Sequence, residues 1–105
     1  MRDKARAYLL APLAEQDLEG IWLYTYRSWS LEQADDYHAS IIDAIEALAS
    51  GRRQGRDASD IRDGYRKHAV GRHLIFYRER EDALLVIRIL HQSMDIAAHI
   101  GSSGA

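Results

Sequence analysis

The apolar residues change period along the chain, and each change marks an element. Ala7-Tyr8-Leu9-Leu10 is a short apolar run of strand character. From Pro12 the spacing becomes helical, with Ala14, Leu18, Ile21, Trp22, Thr25 and Trp29 on one stripe. Pro12 suits the first turn, where its missing N–H is no loss. Ala11 is a poor cap because it has no side-chain oxygen; Glu15 and Asp17 compensate at the positive end of the helix dipole. This helix should stop near Ser28. Ser30-Leu31-Glu32-Gln33 is a capping-box pattern, with Trp29 and Ala34 at the staple positions. A second helix therefore starts at Leu31, buries Ala34, Tyr37, Ile41, Ala44, Ile45 and Leu48, and ends at Gly51. Two helices joined this closely predict an αα-hairpin.

Gly51 to Asp63 is polar and aperiodic and reads as a loop. Alternation then takes over. Tyr65–Val70 and His73–Glu79 are strands joined by a tight Gly71-Arg72 turn, and Arg80-Glu81-Asp82 turns into a third, Ala83–His91. That last run is the longest and most apolar, which predicts a central strand covered on at least one face. Met94 to Ile100 predicts a short helix, and 101–105 a flexible tail after a single domain over 1–100. The order β-α-α-β-β-β predicts an α+β fold. In it an antiparallel sheet carries the helical hairpin on one face. The other face is expected to be more open.

Composition narrows the class. At 105 residues the chain is about one domain long, and 47% apolar with 29% charged residues is ordinary for a soluble protein. It has no cysteine, so disulfides and thiolate metal sites are excluded. No apolar run approaches the roughly 20 residues of a membrane helix. The basic start, Met1 to Arg6, has no apolar h-region after it, so no signal peptide is expected.

The net charge of −2 matters less than its layout. From Leu13 to Ser50 the acids are Glu15, Asp17, Glu19, Glu32, Asp35, Asp36, Asp43 and Glu46, against the one base Arg27. From Arg52 to Arg88 the balance reverses, with Arg66, Lys67, Arg78 and Arg88 set among strand residues. One reading is two solvated faces of different sign. The sharper one is a basic sheet surface, holding Arg66, Arg78 and Arg88, aimed at something negatively charged. Trp22 and Trp29 lie on the buried stripe and read as core. Tyr24 and Tyr26 lie off it, and are either exposed anchors for a partner or the rim of the core.

In this order, four segments resemble the ParE toxins of bacterial type II toxin–antitoxin modules, within the RelE/ParE group. They are Pro12 to Trp22, Trp29 to Ala34, Arg62 to Lys67, and His73 to Arg78 leading to Ile87 through Asp95. The ending Leu90-His91-Gln92-Ser93-Met94-Asp95 is the most specific. Relatives often have serine where Ala11 stands, and Gly20 inside the first helix costs about 1 kcal/mol against alanine. The resemblance implies a cytoplasmic, growth-inhibiting toxin that binds and poisons DNA gyrase. It implies silencing by a ParD-like antitoxin, a ribbon–helix–helix protein with a C-terminal arm, so DNA is met only through antitoxin or gyrase. An acidic arm would find a groove at the hairpin and sheet edge and be attracted by the basic sheet. Arg66, Arg78, Arg88, His91, Met94, Tyr24 and Tyr26 are the expected target or antitoxin contacts. A module that binds its antitoxin but no longer harms the cell is a further possibility.

The RelE branch instead cuts messenger RNA on the ribosome. That chemistry needs a group to take the 2′-hydroxyl proton, cations around the phosphorane and an acid for the leaving oxygen. Here it would fall to His91 with Arg66 and Arg78, but no acid–base partner follows His91. The simpler role for His91 is to fix the strand-to-helix turn. His68 and His73 flank the hairpin turn with no further ligand beside them, and Asp95 with His99 makes only a two-ligand set, so no metal is expected. Nothing in the sequence calls for a cofactor.

Overall fold

The capping signals of the hairpin are realised as hydrogen bonds. A computed structural model of the chain describes residues 7–103; the basic start and the last two residues of the expected tail lie outside that range. Strand β1 (Ala7–Leu10) leads into helix α1 (Pro12–Ser28), and α2 (Leu31–Ser50) follows at once. The Ser30 hydroxyl accepts from the Gln33 N–H at 3.0 Å, and Gly51 closes α2 in the left-handed conformation at φ +86°. After it come β2 (Arg56–Asp57), β3 (Tyr65–Val70), β4 (His73–Glu79), β5 (Ala83–His91) and α3 (Ile96–Ser103). Thus α3 extends into the segment expected to be tail. Asp95 caps it, its carboxylate accepting from the Ala98 N–H at 3.3 Å.

The five strands form one sheet in the order β1-β5-β4-β3-β2. The β3–β4–β5 meander is antiparallel as expected. β1 is not: it pairs parallel to β5, from Ala7 opposite Ala83 to Leu10 opposite Val86, so the sheet is mixed. The pairing places β5 between β1 and β4, the central position its long apolar run predicts. β2 is a two-residue strand inside the stretch expected to be featureless. It is held there because Gly55 is buried, donating its N–H to the Tyr77 hydroxyl at 2.9 Å while its carbonyl accepts from Arg66.

Two apolar clusters sandwich the sheet. On the hairpin side, Ala14, Leu18, Ile41, Ile45 and Leu48 pack on Ile75, Tyr77, Leu84, Val86 and Ile89. The opposite face is not open. Ala58, Tyr65, Phe76, Leu90 and Ile100 form a second cluster, flanked by Ile61 and Ile96, so α3 and the 58–61 segment seal it. Both faces of a sheet with this many apolar residues need cover, and the chain's end supplies the second layer.

Trp29 departs from the expected stripe, standing 70% exposed. It caps α1 with φ −131°, outside helical geometry, so the phase that would carry it to the core has already ended. Trp22 stays half-buried, donates to Asp35 at 2.9 Å and stacks on Tyr26 with ring centroids 5.4 Å apart.

Candidate functional site

The three arginines expected to share one sheet face leave in three directions. Arg66 sits opposite Tyr77, whose ring belongs to the hairpin-side core, and it spends its guanidinium on the Gly55 carbonyl. Arg78 sits opposite Tyr65, in the cluster on the other face, and is exposed. Arg88 faces neither way. Beyond Val86, β5 no longer has β1 beside it, and Asp17 of α1 takes over that edge. Its carboxylate accepts the Ile89 N–H at 2.9 Å and the Arg88 Nε and Nη2 at 2.7 and 2.9 Å. A strand edge left without a partner would strand its N–H groups; here a helical carboxylate stands in. Asp17 also holds the Arg88 guanidinium above its ordinary pKa by hydrogen bonding, against the opposing effect of burial. The basic sheet surface is therefore not assembled, because strand register, a bulge at Ile87 opposite the Phe76/Tyr77 step and Asp17 each redirect one cation.

What the fold does bring together is a cleft of about 800 Å³ between the hairpin, the β3–β4 turn and the end of β5. Its lining includes Tyr24, Trp29, Tyr37, Arg72, His73 and His91. The turn is pressed against α2: a β-carbon on Gly71 would lie 2.6 Å from the Tyr37 hydroxyl. A φ of +55° at Gly71, with no positive φ at Arg72, is the signature of a type II′ hairpin turn. The Tyr37 hydroxyl lies 3.0 Å from the Val70 carbonyl and 2.8 Å from His73 Nδ1, and it accepts the Arg72 N–H at 3.3 Å.

The Tyr37 hydroxyl has one hydrogen for two acceptors in reach, the Val70 carbonyl and His73 Nδ1, and the His73 tautomer sets which of them takes it. His91 is engaged by its own turn. Its Nδ1 accepts the Ser93 N–H at 3.1 Å, with the Ser93 hydroxyl at 2.7 Å, so neutral His91 carries its proton on Nε2. In doing this it also fixes the turn into α3. The two imidazoles are cross-strand partners, edge to face with centroids 5.2 Å apart. Burial, and then His91, hold His73 below the usual imidazole pKa, against an opposite pull from the Asp17 carboxylate. Burial raises the Tyr37 phenol, partly offset by the hydrogen bond and charge of Arg72.

Of the remaining expected contacts, Tyr24 is 71%, Tyr26 47% and Met94 43% exposed, so the two tyrosines stand out from the core rim. Sequence reading missed Tyr37, Arg72 and His73 as a group, and Asp17 as the partner of Arg88. Tyr37 was legible only as part of an apolar stripe, and 36 residues separate it from His73. No local pattern carries such a contact. His68 is turned toward the hairpin side, opposite Ile75. Its Nε2 is buried without a hydrogen-bond partner, and burial, then Arg53 and Arg56, lower its pKa. His99 Nδ1 meets the Asp95 carbonyl, not its carboxylate. Among the described residues no three of His, Asp and Glu converge as a metal site would require.

A hairpin roofing a mixed five-stranded sheet, with the chain's end closing the far face, defines a small α+β domain built around one long central strand. The chain belongs to the ParE toxin family of type II toxin–antitoxin systems (parDE), whose family model matches residues 8–96. It is a toxin component of such a module. It is 44% identical over 90 residues to Toxin ParE1 of Mycobacterium tuberculosis, covering 85% of this chain and 92% of that one. It is 40% identical over 96 residues to Toxin ParE1 of Caulobacter vibrioides, covering 91% and 99%. With Toxin ParE of Escherichia coli it shares 35% over 95 residues, covering 90% and 92%. A solved structure described as a chromosomal ParDE TA system from P. aeruginosa superposes with a TM-score of 0.71 at 16% identity, covering 83% of this chain and 96% of that one. At that identity the likeness speaks for the fold alone. No helix among the described residues is long and apolar enough to cross a membrane.

Proposed function

We propose that this toxin arrests growth in the cytoplasm by binding DNA gyrase and holding it on cleaved DNA, acting as a bound protein and not as an enzyme. The resemblance to ParE supplies the target. The observation that carries the mechanism is the dispersal of Arg66, Arg78 and Arg88. Arg66 and Arg78, the cations expected to steady a phosphorane at His91, do not converge on it; its cleft holds Arg72 instead. Exposed side chains remain as contacts: Tyr24, Tyr26 and Met94, with Arg78 on the far face. Aromatic and methionine side chains that stand in solvent at an energetic cost are the usual anchors of an interface.

The silencing partner on this reading is a ParD-like antitoxin whose C-terminal arm folds against the hairpin. The test incubates purified toxin with gyrase and supercoiled plasmid, and separately with translating ribosomes. Linear plasmid covalently held by gyrase is the expected product. Cuts at codon positions in the message, without gyrase-held DNA, would replace this reading with RNA cleavage.

A further inference from the structure

We propose that the outer edge of β1 is a self-association surface, on which a second copy of this chain adds its own β1, antiparallel across a two-fold axis. The inference goes beyond the gyrase reading and does not depend on it.

The sheet has two edges, and only one is guarded. At one side stands β2, two charged residues long, Arg56 and Asp57. At the other stands β1, Ala7-Tyr8-Leu9-Leu10, which contains neither charge nor proline. Short, charged edges resist pairing, and apolar edges without such protection are templates for another strand. The Ala11 N–H goes to the Val86 carbonyl at 2.9 Å. In a parallel ladder of this register Leu9 therefore also turns its backbone groups to β5, while Tyr8 and Leu10 turn theirs outward. No described strand lies beyond them.

Those outward groups set the register. Pairing Tyr8 with the partner's Leu10, and the reverse pair that the two-fold requires, uses the N–H and C=O of both residues. Leu9 then meets the partner's Leu9 on the axis. That is a non-hydrogen-bonded pair, the kind whose side chains stand closest. Tyr8 and Leu10 pack on the hairpin side, so Leu9 lies on the other face. It is 47% exposed, and the pairing covers it without touching the hairpin core.

Charge selects a second copy as the occupant. Arg2, Lys4 and Arg6 precede β1 with a single acid, Asp3, and alternate in phase with Tyr8 and Leu10. In the register above Ala7 falls opposite the partner's Ala11. The basic segment then continues past the partner's Leu10 toward the start of the partner's α1. A groove of about 480 Å³ opens at that place, lined by Leu10 with Glu15, Glu19 and Asp35. Continued alternation sends the three cations to the hairpin side, where this groove lies. The two-fold repeats the match at both ends of the paired strands. A strand from another protein would have to carry the same basic lead to fit as well.

The test is sedimentation equilibrium of the full chain from about 1 μM to about 500 μM. A reversible dimer with a Kd of about 10–100 μM is expected, as suits a contact smaller than a standard interface. It should weaken as salt rises, because the groove and the basic segment meet near solvent. Leu9→Lys sets like charges against each other on the axis. It should weaken the dimer by about tenfold or more, with an unchanged urea midpoint. Arg6→Glu should also weaken it, and Glu15→Lys added to Arg6→Glu should restore part of the loss. The chain has no cysteine, so a Leu9→Cys protein should form a disulfide-linked dimer under mild oxidation. Leu31→Cys, at a site 54% exposed on the hairpin, should not. A protein monomeric throughout, a dimer that Leu9→Lys leaves intact, a charge swap that restores nothing, or equal cross-linking through Leu31→Cys would overturn the proposal. So would a monomer whose Tyr8 and Leu10 amides gain protection from hydrogen exchange only when an antitoxin arm is added, since the edge would then belong to that arm.

Discussion

Replacing Asp17 by asparagine tests the account of the β5 edge. Asp17 accepts three hydrogen bonds, two from Arg88 and one from the Ile89 N–H. The side chains of the pair are 13% and 14% exposed. That sets it between an exposed pair, at about 0–1 kcal/mol, and a fully buried one, whose broken partner costs about 3–5 kcal/mol. Asparagine keeps one acceptor but turns an N–H₂ toward donors and leaves Arg88 without its counter-charge. We expect a loss of about 3 kcal/mol, a large part of the roughly 5–15 kcal/mol that holds a domain of this size. The melting midpoint should fall by roughly 15 °C. Urea unfolding of the parent, Asp17→Asn, Arg88→Met and the double variant gives the coupling, expected at about 2 kcal/mol. The coupling should persist in about 1 M salt, because a shielded pair is screened far less than an exposed one. A single-variant loss under about 1 kcal/mol, or coupling that disappears with salt, would refute the assignment.

Three further outcomes follow from the same packing. Gly55→Ala should destabilise by about 2–4 kcal/mol in urea titration, because its β-carbon would collide with the Tyr77 hydroxyl and fall 2.6 Å from the Lys67 carbonyl. Ser30→Ala should cost about 1 kcal/mol through the lost cap on Gln33, with calorimetry as the readout. Native His73 and His68 both resist protonation, whereas the unfolded chain takes up protons at about pH 6.5. Stability is therefore full above that pH and falls as the pH drops below it. In a pH series of unfolding midpoints His73→Gln should flatten this slope, and an unchanged slope would show that His73 is not responsible.

Signals carried within a few residues were legible, and those carried by topology were not. Ser30 with Gln33, Gly51, and Gly71 with Arg72 each announce a boundary through local backbone chemistry, and the structure places the boundaries there. The stripe of α1 was over-extended at Trp29 because periodicity continues on paper after the helix has ended. The parallel pairing of β1 could not be read, since strand direction depends on how the chain returns and not on which residues alternate. Face assignment failed for Arg66 and Arg78 because β3 and β4 pair Tyr65 with Arg78 and Arg66 with Tyr77, which sets the two cations on opposite faces, and for Arg88 for a related reason. Alternation holds only where register is unbroken, and Ile87 interrupts it next to Arg88. The cleft is the extreme case. Tyr37, His73 and His91 each had a sufficient local explanation, and only the folded hairpin turn joins them.

The central functional claim is that growth arrest runs through contact with gyrase, made by side chains that stand exposed on the free toxin. The direct measurement is the affinity of immobilised toxin for gyrase, for the parent and for a Tyr24→Ala, Met94→Ala double variant whose urea midpoint matches the parent's. The account predicts saturable binding that weakens by about 30-fold or more in the double variant, the loss of a two-residue anchor, with gyrase-held linear plasmid lost in proportion. A parent protein that does not bind gyrase, or a double variant that binds it undiminished, would contradict it.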